Sequence, residues 1–152
     1  MVKTLGGTAA RERAHPSAFS RLRPLTRLVN GPAVRLAGSS VLPFWALVRH
    51  RGRRSGRTYA TPVAARPTAE GFAIPLAFGE TADWCRNVIA AGGGVVRWGG
   101  REHRVVDPVI VDTDAALAAF APFERRALRI MGIRRVLLVR KDDSLNAPRD
   151  TK

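Results

Sequence analysis

Arg49-His50-Arg51-Gly52-Arg53-Arg54-Ser55-Gly56-Arg57-Thr58-Tyr59-Ala60-Thr61-Pro62 sets five arginines about two glycines and a serine. It lies between an apolar run at 41–48 and a run at 59–65 that alternates apolar with small or polar residues. A strand-sized apolar run going in and a period-two run coming out make the middle a basic loop joining two strands. Glycine lets backbone approach a ligand closely, Ser55 adds a hydroxyl, and guanidinium forks match phosphate and carboxylate oxygens in pairs. The chemistry this suits is the grip of a multiply anionic tail; the competing reading is a solvated basic turn.

Outward from the loop, Pro62 places the second strand at a sheet edge or a bulge. A turn at 67–71 leads into a strand at 72–78, and the two strands are expected to form a hairpin. Thr81 is expected to cap a helix that runs to Ala91 and stops at Gly92-Gly93-Gly94, with Trp84, Cys85, Val88 and Ile89 on one apolar face. Residues 95–98 and 101–106 flank Gly99-Gly100, the pair that suits a primed two-residue turn, and form the clearest hairpin in the chain. A strand-like stretch at 109–111, a helical pattern over 112–129 broken at Pro122, and a last strand at 133–139 complete the domain. Toward the N-terminus, residues 17–36 interleave apolar residues with Arg21, Arg23, Arg27 and Arg35 at roughly helical spacing. Hairpin-connected strands with one inserted helix define an α+β domain on a small antiparallel barrel.

The formal net charge is +14, and it is unevenly placed: residues 1–66 hold 13 basic residues against the single acid Glu12, leaving 13 basic and 11 acidic residues for the rest. Such a field favours anionic partners, whether nucleic acid, an anionic membrane or a phosphorylated small molecule. One cysteine, Cys85, excludes an internal disulfide. No apolar run approaches the roughly 20 residues of a membrane span, and no apolar signal core adjoins the N-terminal basic residues. The expected location is the cytoplasm, with membrane association open through the segment at 17–36.

His15, His50 and His103 show no ligand-like spacing, so no metal site is expected. No serine sits in a nucleophile elbow, and Cys85 falls on an apolar helix face. Gly92-Gly93-Gly94 follows a helix, whereas a dinucleotide loop follows a strand. An anion grip without an evident acid, base or nucleophile is the pattern of a protein whose cofactor carries the chemistry.

Gly52-Arg53-Arg54-Ser55-Gly56-Arg57, Thr61-Pro62-Val63, Asp83-Trp84, Arg86-Asn87-Val88 and Ala90-Ala91-Gly92-Gly93, in this order and spacing, resemble the deazaflavin-dependent nitroreductase family of actinobacteria. The resemblance spans residues 28–141 and implies a split β-barrel related to flavin-reductase and FMN-binding folds, using coenzyme F420. It implies that Arg53, Arg54, Ser55, Gly56 and Arg57 hold the coenzyme's phosphate and glutamyl carboxylates. It further implies that Thr61, Pro62 and Val63 lie against the deazaflavin, that Ala77, Phe78 and Gly79 border the ring, and that Trp84 and Asn87 line the site from the helix. The implied reaction is hydride transfer from reduced deazaflavin to a quinone-like or nitroaromatic acceptor. The nitroimidazole-reducing branch has a Ser-Lys pair where Phe78-Gly79 stands here, and Tyr59 is the only tyrosine of the chain, so the resemblance does not extend to that substrate or to a tyrosine proton donor.

The expected organisation is a disordered tail at 1–16, a single split-barrel deazaflavin-binding domain at 17–141 that opens with the N-terminal helical segment, and a polar tail at 142–152. No catalytic side chain and no metal is assigned. The alternative is a non-catalytic carrier for F420 or another flavin-like anion such as FMN. A nucleic-acid module ranks behind both, because the aromatics do not alternate with arginines as stacking platforms do. Related barrels often dimerise, which leaves a homodimer open.

Overall fold

The computed structural model describes residues 44–145; the expected tail at 1–16, the amphipathic segment at 17–36 and the end of the polar tail at 146–152 lie outside the described residues. Seven strands form one antiparallel sheet: β1 (Trp45–Arg51), β2 (Thr58–Ala64), β3 (Arg66–Pro67), β4 (Gly71–Pro75), β5 (Gly93–Trp98), β6 (Arg101–Asp112) and β7 (Arg135–Lys141). Helix α1 (Asp83–Ala91) lies between β4 and β5. A 3₁₀ helix (Thr113–Ala119) and helix α2 (Pro122–Ile130) lie between β6 and β7.

The spatial order is β2-β1-β5-β6-β7-β4-β3. Val63 of β2 and Phe72 and Ile74 of β4 nevertheless share one buried cluster with Val48, Val96, Val105, Leu137 and Val139. In a flat sheet β2 and β4 would be about 24 Å apart, at roughly 4.8 Å per strand. The sheet therefore curls into a half-barrel, an α+β fold of split β-barrel type.

Alternation along β1 sends Ala46, Val48 and His50 inward, and α1 closes the barrel with Ala82, Cys85 and Val88. The opposite face of β4, β7 and β6 carries a second cluster, where Ala73 and Val136 meet Ala116, Phe120, Leu128 and Ile133. Two cores back one sheet, and only the inner one adjoins the basic loop.

Several local expectations hold for visible physical reasons. Gly99 and Gly100 both have positive φ, 57° and 78°, as a primed turn requires. Gly92 ends α1 in the left-handed conformation at φ 70°, its N–H bonding to Ile89 O at 3.1 Å. Pro62 sits on β2, which pairs only with β1 and so needs no donor on its other side.

Other expectations change. The strand at 59–65 does not form a hairpin with the strand at 72–78: β2 pairs with β1, β4 pairs with β7, and only Arg66 and Pro67 pair with Ala73 and Phe72. Ala65 turns the chain between the two pairings, its N–H bonding to Phe44 O. The first strand, expected at 41–48, is Trp45–Arg51 among the described residues and so runs three residues past Val48 into the arginine stretch. Thr81 does not cap α1, because the helical ladder starts one residue later, at Ala82 O to Arg86 N, and Ala82 is held in the core. The buried residues of α1 are Cys85, Asn87 and Val88, with Ala82 buried just before its first turn, and Ile89 on its flank is 41% exposed.

Gly93 and Gly94 belong to β5 and not to a loop. A Cβ on Gly93 would lie 2.1 Å from Val105 O and one on Gly94 2.7 Å from Arg49 O, so close backbone approach requires glycine at both. The stretch at 109–111 is the second half of β6. Asp107, at φ 54°, makes a bulge between Val106 and Val109 that accommodates Pro108, and Arg140 Nε bonds its carboxylate at 3.0 Å.

Candidate functional site

The ladder between β1 and β2 ends at the pair Arg51 and Thr58, and the intervening residues 52–57 close on themselves. Gly52 N–H donates to Arg57 O at 2.7 Å, Gly56 N–H to Gly52 O at 2.9 Å, and Arg51 Nε to Gly56 O at 3.0 Å. Ser55 Oγ accepts from Arg57 N–H at 3.3 Å and shares a hydrogen bond with the Tyr59 hydroxyl at 3.0 Å. Gly52 is buried at the base, where a Cβ would stand 2.5 Å from Ser55 Oγ and 2.8 Å from the Tyr59 ring. The loop is a built turn and not a slack excursion.

Its attachment to α1 runs through Asn87, which is only 5% exposed. Asn87 Oδ1 accepts from Arg53 N–H at 3.1 Å and from Arg53 Nη1 at 2.9 Å, and Arg53 Nη2 donates to Asp83 Oδ1 at 3.1 Å. Asn87 Nδ2 lies 3.1 Å from His50 Nδ1, and His50 Nε2 lies 3.0 Å from Thr61 Oγ1. A continuous polar chain therefore joins the loop, α1, β1 and β2. The His50 ring stacks on Tyr59 at 5.9 Å between centroids, and burial holds its pKa below the ordinary value, with Asp83 opposing.

What the turn leaves over defines its chemistry. Among the described residues, the guanidiniums of Arg54 and Arg57 have no hydrogen-bonding or ion-pair partner, and the backbone N–H groups of Arg54 and Ser55 have no acceptor. Successive free N–H groups beside unpaired guanidiniums make an anion-binding concavity. It opens on a shallow cleft of about 510 Å³ lined by Arg51, Gly52, Arg53, Arg54, Ser55, Gly56, Asn87, Ala90 and Ala91. One wall is cationic; the other, from α1, is small and apolar.

The structure brings together Arg53, Arg54, Ser55, Gly56 and Asn87 of the expected site, with Arg57 at the closing end of the same loop. It does not bring the others to that cleft. Thr61 is engaged by His50, Pro62 pairs with Leu47, and Val63 is a core residue with 6% exposure. Ala77 packs on the second core, Phe78 stands 37% exposed, and Gly79, at φ 80°, turns the chain with its N–H on Leu76 O at 3.0 Å. Trp84 packs against the inner core.

His50 and Asp83 had no role in the sequence reading. For His50 the signal was present: it continues the alternation of Ala46 and Val48, which places it indoors. Cys85 is fully buried and its thiol is pushed up to about 11, first by burial and then by Glu80, so it is a core residue without nucleophilic character. Among the described residues no cluster of histidine, cysteine or carboxylate side chains could hold a metal ion. Among the same residues no helix is long and apolar enough to cross a membrane.

No protein-family model matches the chain, and no curated protein matches it. Solved structures do: one described as a domain-swapped dimer is 18% identical, with a TM-score of 0.47, over 80% of this chain and 96% of that one. A second is 14% identical, with a TM-score of 0.46, over 80% of this chain and 82% of that one.

Proposed function

We propose that the protein binds coenzyme F420 and transfers a hydride from the reduced deazaflavin to a quinone-like or nitroaromatic acceptor. The observation that carries this reading is the loop at 52–57, whose donors without a partner among the described residues, the Arg54 and Arg57 guanidiniums and the Arg54 and Ser55 N–H groups, all suit anionic oxygens. That donor set fits a phosphodiester followed by carboxylates.

In this reading the deazaflavin supplies the hydride, as flavin-like cofactors do. The chain's own part is binding and orientation. Arg54 and Arg57 neutralise the tail, Arg53 holds the loop against α1, and Ala90 and Ala91 give the cleft an apolar wall that sheds water. Thr61, Pro62, Ala77, Phe78 and Gly79 fall outside the cleft at the loop, so contact with a ring system would come from elements beyond it. The reading derived from the sequence that competes is a carrier for the same anion, favoured by a cleft that holds arginines, Ser55 and Asn87 but no carboxylate or histidine at its surface.

Titration of the full chain with oxidised F420, with FMN as the control, tests binding by fluorescence. Arg54→Ala and Arg57→Ala are expected to weaken F420 binding by about 1.5 kcal/mol each, roughly tenfold, the value of a charged hydrogen bond. Binding of neither compound would overturn the reading. Turnover of reduced F420 with a panel of quinones then separates enzyme from carrier.

A further inference from the structure

Asn87 lies at the centre of the polar chain, and its amide can face only one way. Both groups on its Oδ1 side, Arg53 N–H and Arg53 Nη1, are donors, so the oxygen must be there and the NH₂ must face His50. His50 Nδ1 must then accept, which assigns the neutral ring with its proton on Nε2, donated to Thr61 Oγ1.

A proton on Nδ1 is incompatible with this arrangement. It would set an N–H against the Asn87 NH₂; turning the amide over to relieve that would set the NH₂ against the two Arg53 donors. The first case loses the Asn87–His50 bond and the restraint it puts on the amide; the second costs the attachment of the loop to α1 two hydrogen bonds.

We propose that His50 is a positioning residue for the anion site: by accepting from Asn87 it fixes the amide that holds Arg53, so the loop keeps its anion-binding form only while His50 is neutral. This goes beyond the F420 reading but rests on the same loop being an anion site. The groups facing His50 are Tyr59 and Thr61 from β2, Asp83 and Asn87 from α1, and Arg53 beyond Asn87. Asp83 favours the proton, but it is engaged by Arg53. Burial opposes the proton, so the neutral ring is the resting form at pH 7.

The test uses sulfate, which keeps its charge from pH 5 to 8, and follows the Arg54 and Ser55 amide signals by NMR in the full chain. Sulfate affinity is expected to fall about tenfold as His50 takes up its proton, which equals about 1.4 kcal/mol. In His50→Asn, whose Oδ1 can replace Nδ1 as acceptor, the fall is expected to vanish; in His103→Gln it is expected to persist. An equal fall in wild type and His50→Asn would overturn the proposal. So would affinity that rises on acidification, the result of charge attraction alone.

Should His50→Asn fail to fold, the wild type decides. The Asn87 side-chain amide and the Arg53 N–H must shift with the same midpoint as His50, and independent midpoints would overturn the proposal. F420 titration at pH 7.5 is scored separately. A pH-dependent sulfate site that ignores F420 defeats the cofactor reading alone, whereas F420 binding with no His50 dependence defeats this one alone.

Discussion

Replacing Asn87 with alanine removes three hydrogen bonds and leaves three groups to find other partners. His50 Nδ1 is buried, so its orphaning costs about 1–2 kcal/mol. The Arg53 N–H is partly buried and costs about 1 kcal/mol. The guanidinium bond is discounted to below about 1 kcal/mol, because the Arg53 side chain is 23% exposed, can rehydrate and keeps Asp83. The sum is about 3 kcal/mol, which for a domain of this size lowers Tm by roughly 10 °C. Urea and thermal unfolding followed by circular dichroism measure it directly. A loss below about 1 kcal/mol would refute the reasoning, since it would mean that water replaces the amide and that the loop does not depend on α1.

Asn87→Asp keeps an acceptor toward Arg53 but presents an oxygen to His50, so the His50 pKa is expected to rise; an unchanged NMR titration would contradict the assigned amide orientation. Gly93→Ala is expected to destabilise by about 3 kcal/mol or more, because its Cβ would strike Val105 O at 2.1 Å and the strands cannot separate without breaking β5 from β6. A denaturation midpoint close to wild type would count against that packing. His50 and His103 both have lowered pKa values, first from burial, with Lys141 and then Arg101 adding to it at His103. Their neutral forms stabilise the fold fully above about pH 6.5, and that stability is lost from there down to their lower folded values, where the unfolded chain binds protons first. The urea midpoint should therefore fall between pH 7.5 and 5.5, and His50→Asn should shrink the difference.

Local chemistry was legible wherever a residue has one conformational use. Gly99-Gly100 placed a primed turn, Gly92 a helix stop, and Gly52 and Gly56 a tight loop among arginines. Pairing at long range was not, because β4 and β7 are separated by the whole of α1, β5, β6 and α2, and nothing local in Phe72-Ala73-Ile74 names Leu137 as its neighbour. Residues 101–106 and 109–111 read as two strands, yet the bulge at Asp107 joins them, with Pro108, into one. Within the site the arginines stood out by charge. Which of them is spent on structure and which is left free depended on Asp83 and Asn87, some thirty residues away, and only the fold decides that.

The sealing of Cys85 has a practical side. As the chain's sole thiol, fully enclosed between α1 and the sheet, it is closed to alkylating reagents and oxidants in the folded protein. A cysteine placed at exposed Arg54 would be the one reactive sulfur, so a fluorophore or spin label can be attached at the mouth of the cleft in the otherwise native background. Loop motion can then be followed by a reporter, with no prior mutation needed to silence the rest of the molecule.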